Sequence, residues 1–165
     1  MKKSAQGHIL SLLTGITLFT SFDTAFAATS TTTMQVTVNV VGHCTITAAP
    51  FNFPDYDGSG ASLDILSPQT PVTINCPAGE DYEIAASAGS GSFINRTMRN
   101  GANILNYNLY TDSAYSTVWN STTQLITGTG TNAPQTPVVY GKIPAAQTQA
   151  NTGVYTDTLT LTVTW

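Results

Sequence analysis

Apolar and polar residues alternate with a period of two along much of the chain, most clearly over residues 155–165, Y-T-D-T-L-T-L-T-V-T-W. Leu159, Leu161, Val163 and Trp165 fall on one face and Thr158, Thr160, Thr162 and Thr164 on the other, the side-chain period of a half-buried strand. A second row, Met34, Val36, Val38 and Val40, alternates with Gln35, Thr37 and Asn39. Shorter runs of strand formers cover residues 72–76, 82–87, 104–110 and 138–143. Breakers separate them: Pro68 and Pro71, Pro77-Ala78-Gly79, Gly89 to Gly91, Asn100-Gly101, Gly128 to Gly130 and Pro134 to Pro137. The spacing suits an all-β antiparallel sandwich, and no segment carries an apolar stripe at helical period long enough for a main helix. Residues 120–135 read as a surface connection or as a short extra hairpin around residues 124–127. No internal repeat or composition break marks a second folded domain.

The two ends of this pattern raise different questions. An apolar strand at the end of the chain, with no later segment to pair with it, would leave an unguarded edge. At the start, Lys2 and Lys3, the apolar stretch over residues 9–19 and the small-x-small site Ala25-Phe26-Ala27 read as a signal peptide, cleaved after Ala27. At 11 residues, a few of them Ser, Thr and Gly, the stretch falls short of the roughly 20 that span a bilayer as a helix, so a membrane anchor is not expected.

Export changes the chemistry available to what remains. The predicted mature chain has 138 residues, enough for one domain with a core, and carries three basic and eight acidic side chains. Without a basic cluster it is a poor partner for nucleic acid. Cys44 and Cys76 would meet an oxidising compartment and are expected to form a disulfide; a metal site on His43, Cys44 and Cys76 lacks a fourth ligand and C-x-x-C spacing.

Candidate chemistry is sparse, and no enzyme or cofactor is indicated. His43 is the one histidine after the signal segment, so any nucleophilic triad would rest on it alone. Asp55-Tyr56-Asp57-Gly58 opens like a calcium loop, but the twelfth position is Leu66, and an Asp-Gly turn is the better reading. Glu80, Asp81 and Glu83 read as solvated charge; Asn95-Arg96-Thr97 and Asn120-Ser121-Thr122 match the short glycosylation sequon. Tyr107, Tyr110, Trp119, Tyr140 and Tyr155 could make a sugar platform, although packing in the sandwich is the expected role.

An ordered set of motifs carries a further message. Arg96-Thr97-Met98 before Asn100-Gly101, Tyr107-Asn108-Leu109-Tyr110-Thr111-Asp112, Trp119, Val139-Tyr140-Gly141-Lys142-Ile143-Pro144, and the run from Gly153 to Leu159 together resemble the spore coat protein U domain, which is shared with pilin subunits of the archaic chaperone-usher pathway. Cys44 and Cys76, the latter before a strand bearing Tyr82, match the family's two cysteines. One departure is Phe53-Pro54-Asp55-Tyr56, where the family tends to Phe-Gly followed by Tyr.

The resemblance implies an incomplete immunoglobulin-like antiparallel sandwich lacking its final strand, completed by donor-strand exchange. It implies a periplasmic chaperone, an outer-membrane usher and identical or related pilin subunits as partners, in a fimbrium at the cell surface that serves adhesion or biofilm formation. On this reading residues 1–27 are the signal peptide, 28–41 the donor strand segment and 42–165 the pilin domain. Met34, Val36, Val38 and Val40 form the donor row, and Leu159, Leu161, Val163 and Trp165 line the acceptor groove. Two alternatives stay open: a secreted, spore-coat-like protective protein, and a carbohydrate-binding adhesin module.

Overall fold

A computed structural model describes residues 29–58 and 63–165; the signal-peptide reading lies outside the described residues. The chain divides after Val38 into two units. Within the first, residues 29–38 form no helix or strand, and their side chains are exposed. Among its described residues, the second unit, Asn39–Trp165, contains nine strands and no helix.

The strands are β1 (Thr45–Ala48), β2 (Ile65–Gln69), β3 (Val72–Asn75), β4 (Asp81–Ala86), β5 (Arg96–Asn100), β6 (Asn103–Tyr110), β7 (Ile126–Thr129), β8 (Val139–Ile143) and β9 (Leu161–Thr164). They form a four-stranded sheet in the order β2-β8-β6-β5, a three-stranded sheet β7-β4-β9 and a two-stranded ribbon β1-β3, all antiparallel. Turn chemistry sets the joints. Gly101, at φ 60°, supplies the left-handed residue of the tight β5–β6 hairpin at the breaker Asn100-Gly101, and Gly79, at φ 83°, takes the left-handed conformation in the turn between β3 and β4.

The four interior runs read from the pattern correspond to β3, β4, β6 and β8; in the segment left open between connection and hairpin, residues 126–129 form the single strand β7, which pairs with β4 instead of making a hairpin of its own. Two differences have physical causes. Pro68, read as a breaker, lies inside β2, opposite Tyr140. It is tolerated because β2 is the outer strand of its sheet, where a missing N–H leaves no inner ladder bond unmade. The long terminal alternation forms continuous pairing over Leu161–Thr164, preceded by a separate bridge from Thr156 to Arg99 on β5.

Between the sheets lies a core of Val72, Ile74, Ile84, Tyr82, Leu105, Tyr107, Leu109, Trp119, Val139 and Ile143. Trp119 is its largest wholly buried side chain, and its indole Nε1 donates to the Ile84 carbonyl at 2.8 Å, so the ring is buried without an orphan donor. Cys44 and Cys76 are joined in a disulfide that ties the start of β1 to the end of β3.

Candidate functional site: a groove beside the last strand

One face of the core is open. β9 pairs with β4 on one side only; its other edge has no neighbouring strand among the described residues. Where β9 begins, at Leu161, lies a cavity of about 390 Å³ that runs back along residues 155–159. One wall is the chain leaving β1, residues 48–53, held at its start by the Ala49 N–H donating to the Pro71 carbonyl at 2.7 Å. The opposite wall is residues 155–159 with Leu161. Val72, Met98, Tyr107, Leu109 and Trp119 make the floor, so the groove opens directly onto the core. A second, more polar cavity of about 730 Å³ continues past Phe51, Phe53, Met98 and Tyr155 toward residues 54–58 and 150–154.

The walls follow from local sequence. Phe51 and Phe53 stack at 5.0 Å, and Phe53 meets Tyr107 edge-on at 5.9 Å, so the aromatics after β1 turn inward as a lip. Gly141 on β8 lies under both rings, with room for no side chain of its own. On the opposite wall Tyr155, Asp157, Leu159 and Leu161 are half-buried, and the threonines between them are exposed.

A charged cluster sits against the groove floor. Arg96 is 0 % exposed. Its guanidinium donates to the Ser87 carbonyl at 2.9 and 3.2 Å, to the Trp119 carbonyl at 2.7 Å and to Asn108 Oδ1 at 2.7 Å, and stacks on Phe93 at 5.4 Å. Burial lowers its pKa, and the nearby Tyr107 and Asp157 act the other way. Tyr107 donates to Asp157 Oδ2 at 2.7 Å; burial first, then this bond and the Asp157 charge, push the phenol well above its ordinary range.

The residues singled out in the sequence fall into three places. Of the four residues read as the acceptor row, Leu159 and Leu161 line the cavity; Val163, half-buried and in phase with them, and Trp165, half exposed, are not among its lining residues. Met34, Val36, Val38 and Val40 are each more than 80 % exposed and in no strand. Of the aromatics, Tyr107 and Trp119 belong to the core, whereas Tyr110 on β6, Tyr140 on β8 and Tyr115 in the loop after β6 form an edge-to-face group with ring centroids 5.8 Å apart. His43 is exposed and donates from Nδ1 to the adjacent Gly42 carbonyl at 2.8 Å. Sequence reading passed over the aromatic lip and the Arg96–Tyr107–Asp157 cluster. An acidic residue in phase with an apolar row, Asp157 before Leu159, was the available signal.

Comparison with known proteins adds the context. A family model, the Spore Coat Protein U domain, matches residues 30–162. Among solved structures, the crystal structure of the CsuC-CsuE chaperone-tip adhesion subunit pre-assembly complex from archaic chaperone-usher Csu pili of Acinetobacter baumannii is similar, with 22% sequence identity and a TM-score of 0.54. The match covers 76% of this chain and 40% of the matched chain, and at that identity the likeness is one of fold. No curated protein matches.

Proposed function

This chain belongs to the Spore Coat Protein U domain family, and we propose that it is a non-enzymatic structural subunit of an archaic chaperone-usher surface fibre, joined to its neighbours by strand donation. One observation carries the reading: an apolar groove, open to the core, along residues 155–161, leading into a last strand that is paired on one side only among the described residues. Strand addition supplies what that edge lacks, main-chain partners along the backbone and alternate side chains for the floor.

The same polypeptide contains a segment of the right form. Met34, Val36, Val38 and Val40 are exposed, in phase, and adjacent in sequence to the folded body. Four such side chains, fully buried at roughly 1.5–3 kcal/mol each, contribute about 6–12 kcal/mol gross, offset by the cost of ordering the strand and of association. A joint in which each subunit gives a strand to the next and receives one from the last does not close on itself, and so makes a fibre. A periplasmic chaperone that occupies the groove first, an usher that exchanges it for a neighbour's strand, and attachment or biofilm formation as the fibre's use complete the proposal.

Replacing Val36 and Val38 together by Asp tests it. The donor face then carries two charges that the apolar floor cannot solvate. The variant is expected to be exported in normal amount yet to lose the heat-resistant multimer ladder of surface extracts, a mark of kinetically stable polymers. A ladder of normal length from the variant would remove these residues from the joint.

A further inference from the structure

The receiving wall changes sheets as it runs. Thr156 exchanges hydrogen bonds with Arg99 on β5, at 2.9 and 3.0 Å, in the four-stranded sheet. Five residues on, Leu161 is paired with Ala86 on β4, in the three-stranded sheet. The intervening stretch lies in no continuous ladder, yet it forms the middle of the groove wall.

Asp157 secures the start of that stretch. Its Oδ1 accepts from Ser90 N–H at 2.9 Å, Ser90 Oγ at 2.8 Å and Thr158 N–H at 2.9 Å; its Oδ2 accepts from Tyr107 Oη at 2.7 Å. Gly89 beneath it leaves the space: a side chain there would collide with the carboxylate. At the far end Ser87 N–H donates to the Thr160 carbonyl and Ser87 Oγ accepts from Thr160 N–H, both at 2.9 Å.

The charge has its own logic. Arg96 lies behind Tyr107 on the neighbouring strand position, wholly buried, and its hydrogen-bond acceptors are all neutral. A buried cation without a counter-charge is costly. Asp157, coupled through the Tyr107 hydroxyl, is the carboxylate that acts on it. An amide at 157 could keep one or two of the hydrogen bonds but not the balance of charge.

We infer that Asp157 is a positioning residue for strand capture: with Tyr107 and Ser90 it holds residues 157–160 as a preformed wall before the incoming strand arrives. The inference rests on the strand-donation reading. It assigns to the Arg96–Tyr107–Asp157 cluster a task in assembly kinetics, because a wall already in place spares the donor the cost of ordering it.

The test uses the mature chain with its own row silenced by V36D/V38D, and a fluorescein-labelled peptide of residues 28–41 as probe. Peptide uptake is followed by anisotropy, and thermal stability is measured separately on a fusion carrying residues 28–41 after its C-terminus on a flexible linker. With Asp157→Asn, uptake is expected to slow about tenfold, the effect of one lost charge-assisted bond, and with Tyr107→Phe several-fold. The fusion, whose wall is held by the added strand, should keep a nearly unchanged Tm. Uptake at the reference rate in both variants overturns the inference, and so does slowing matched by an equally large loss of stability in the fusion. If Asp157→Asn fails to fold, Tyr107→Phe decides by the same criterion. Absence of uptake by the silenced chain with Asp157 intact would instead overturn the strand-donation reading, and this inference with it.

Discussion

Removing the disulfide by Cys44→Ala and Cys76→Ala together probes how much of the groove depends on the bridge behind it. The two cysteines are 32 residues apart in sequence, and for a loop of that length the chain-entropy account gives about 3.7 kcal/mol. The folded body from residue 42 to 165 has 124 residues, so its unfolding entropy is about 0.26 kcal/mol per degree, and the midpoint should fall by roughly 14 °C. Cys76 is 1 % exposed, so the small void left by its sulfur acts in the same direction. The assay is calorimetry on the fusion that carries residues 28–41 at its C-terminus, so that an empty groove does not confuse the baseline. There is a kinetic consequence as well. Cys44 immediately precedes β1, and the chain leaving β1 is one groove wall, so the variant should also take up peptide more slowly. A fall of less than about 5 °C, with uptake unchanged, would refute the claim that the bridge restrains this wall and dominates the loop entropy.

Two further outcomes are expected. Gly141→Ala places a methyl group 2.6 Å from the Phe51 ring and 2.7 Å from Phe53, so the aromatic lip must move. Overpacking of this kind costs about 1–3 kcal/mol, measurable by urea unfolding, and should speed release of bound peptide; unchanged unfolding and release would place the lip elsewhere. Asp112 organises the loop after β6, accepting from the N–H groups of Ala114, Ser116 and Thr117 and from Ser116 Oγ. Loss of solvent pushes its pKa up, but the bonds from Thr117 and Ser116 hold it at about 2, below the ordinary 3.8. The sign follows: a depressed carboxyl stabilises the loop above pH 3.8, and that contribution is lost as pH falls through about 2. An NMR titration should find the carboxyl and the three amides moving together near pH 2; a midpoint near 4 would break the link.

Strands with period-two alternation and flanking breakers could be read directly: β3, β4, β6 and β8 lie within a residue or so of where the pattern puts them. β1 and β5 escaped because Thr45–Ala48 is short and small-sided, and Arg96–Asn100 carries two arginines and an asparagine, a composition that suggests surface. Tertiary context overrides that composition, since Arg96 turns inward and finds carbonyl acceptors around it. The groove was legible on one wall only. Leu159 and Leu161 announce themselves by phase, whereas Phe51 and Phe53 lie in a segment broken by Pro50 and Pro54 and have no period. Their role depends on Gly141, some 90 residues away, and no local signal connects them.

The contrast between β4 and β9 is the firmest physical argument for the proposed strand addition. Ile84 stands opposite Val163 and Ala86 opposite Leu161, on the same face of one sheet and over the same core. Ile84 and Ala86 are 0 % exposed, yet Val163 and Leu161 are only half-buried. Side-chain type does not explain the difference, because all four are apolar and the β9 alternation is the more regular of the two. Position does: β4 has a neighbour on each side and β9 has one. A sequence written with inner-strand periodicity has been placed at an edge, and it lacks the devices by which edges are usually protected, with no lysine, proline or inward charge between Leu159 and Trp165. The charge that does occur, Asp157, lies before that stretch and is fully engaged by Ser90, Thr158 and Tyr107. An edge left undefended along its apolar length and braced at its start is what the proposed strand-receiving site requires.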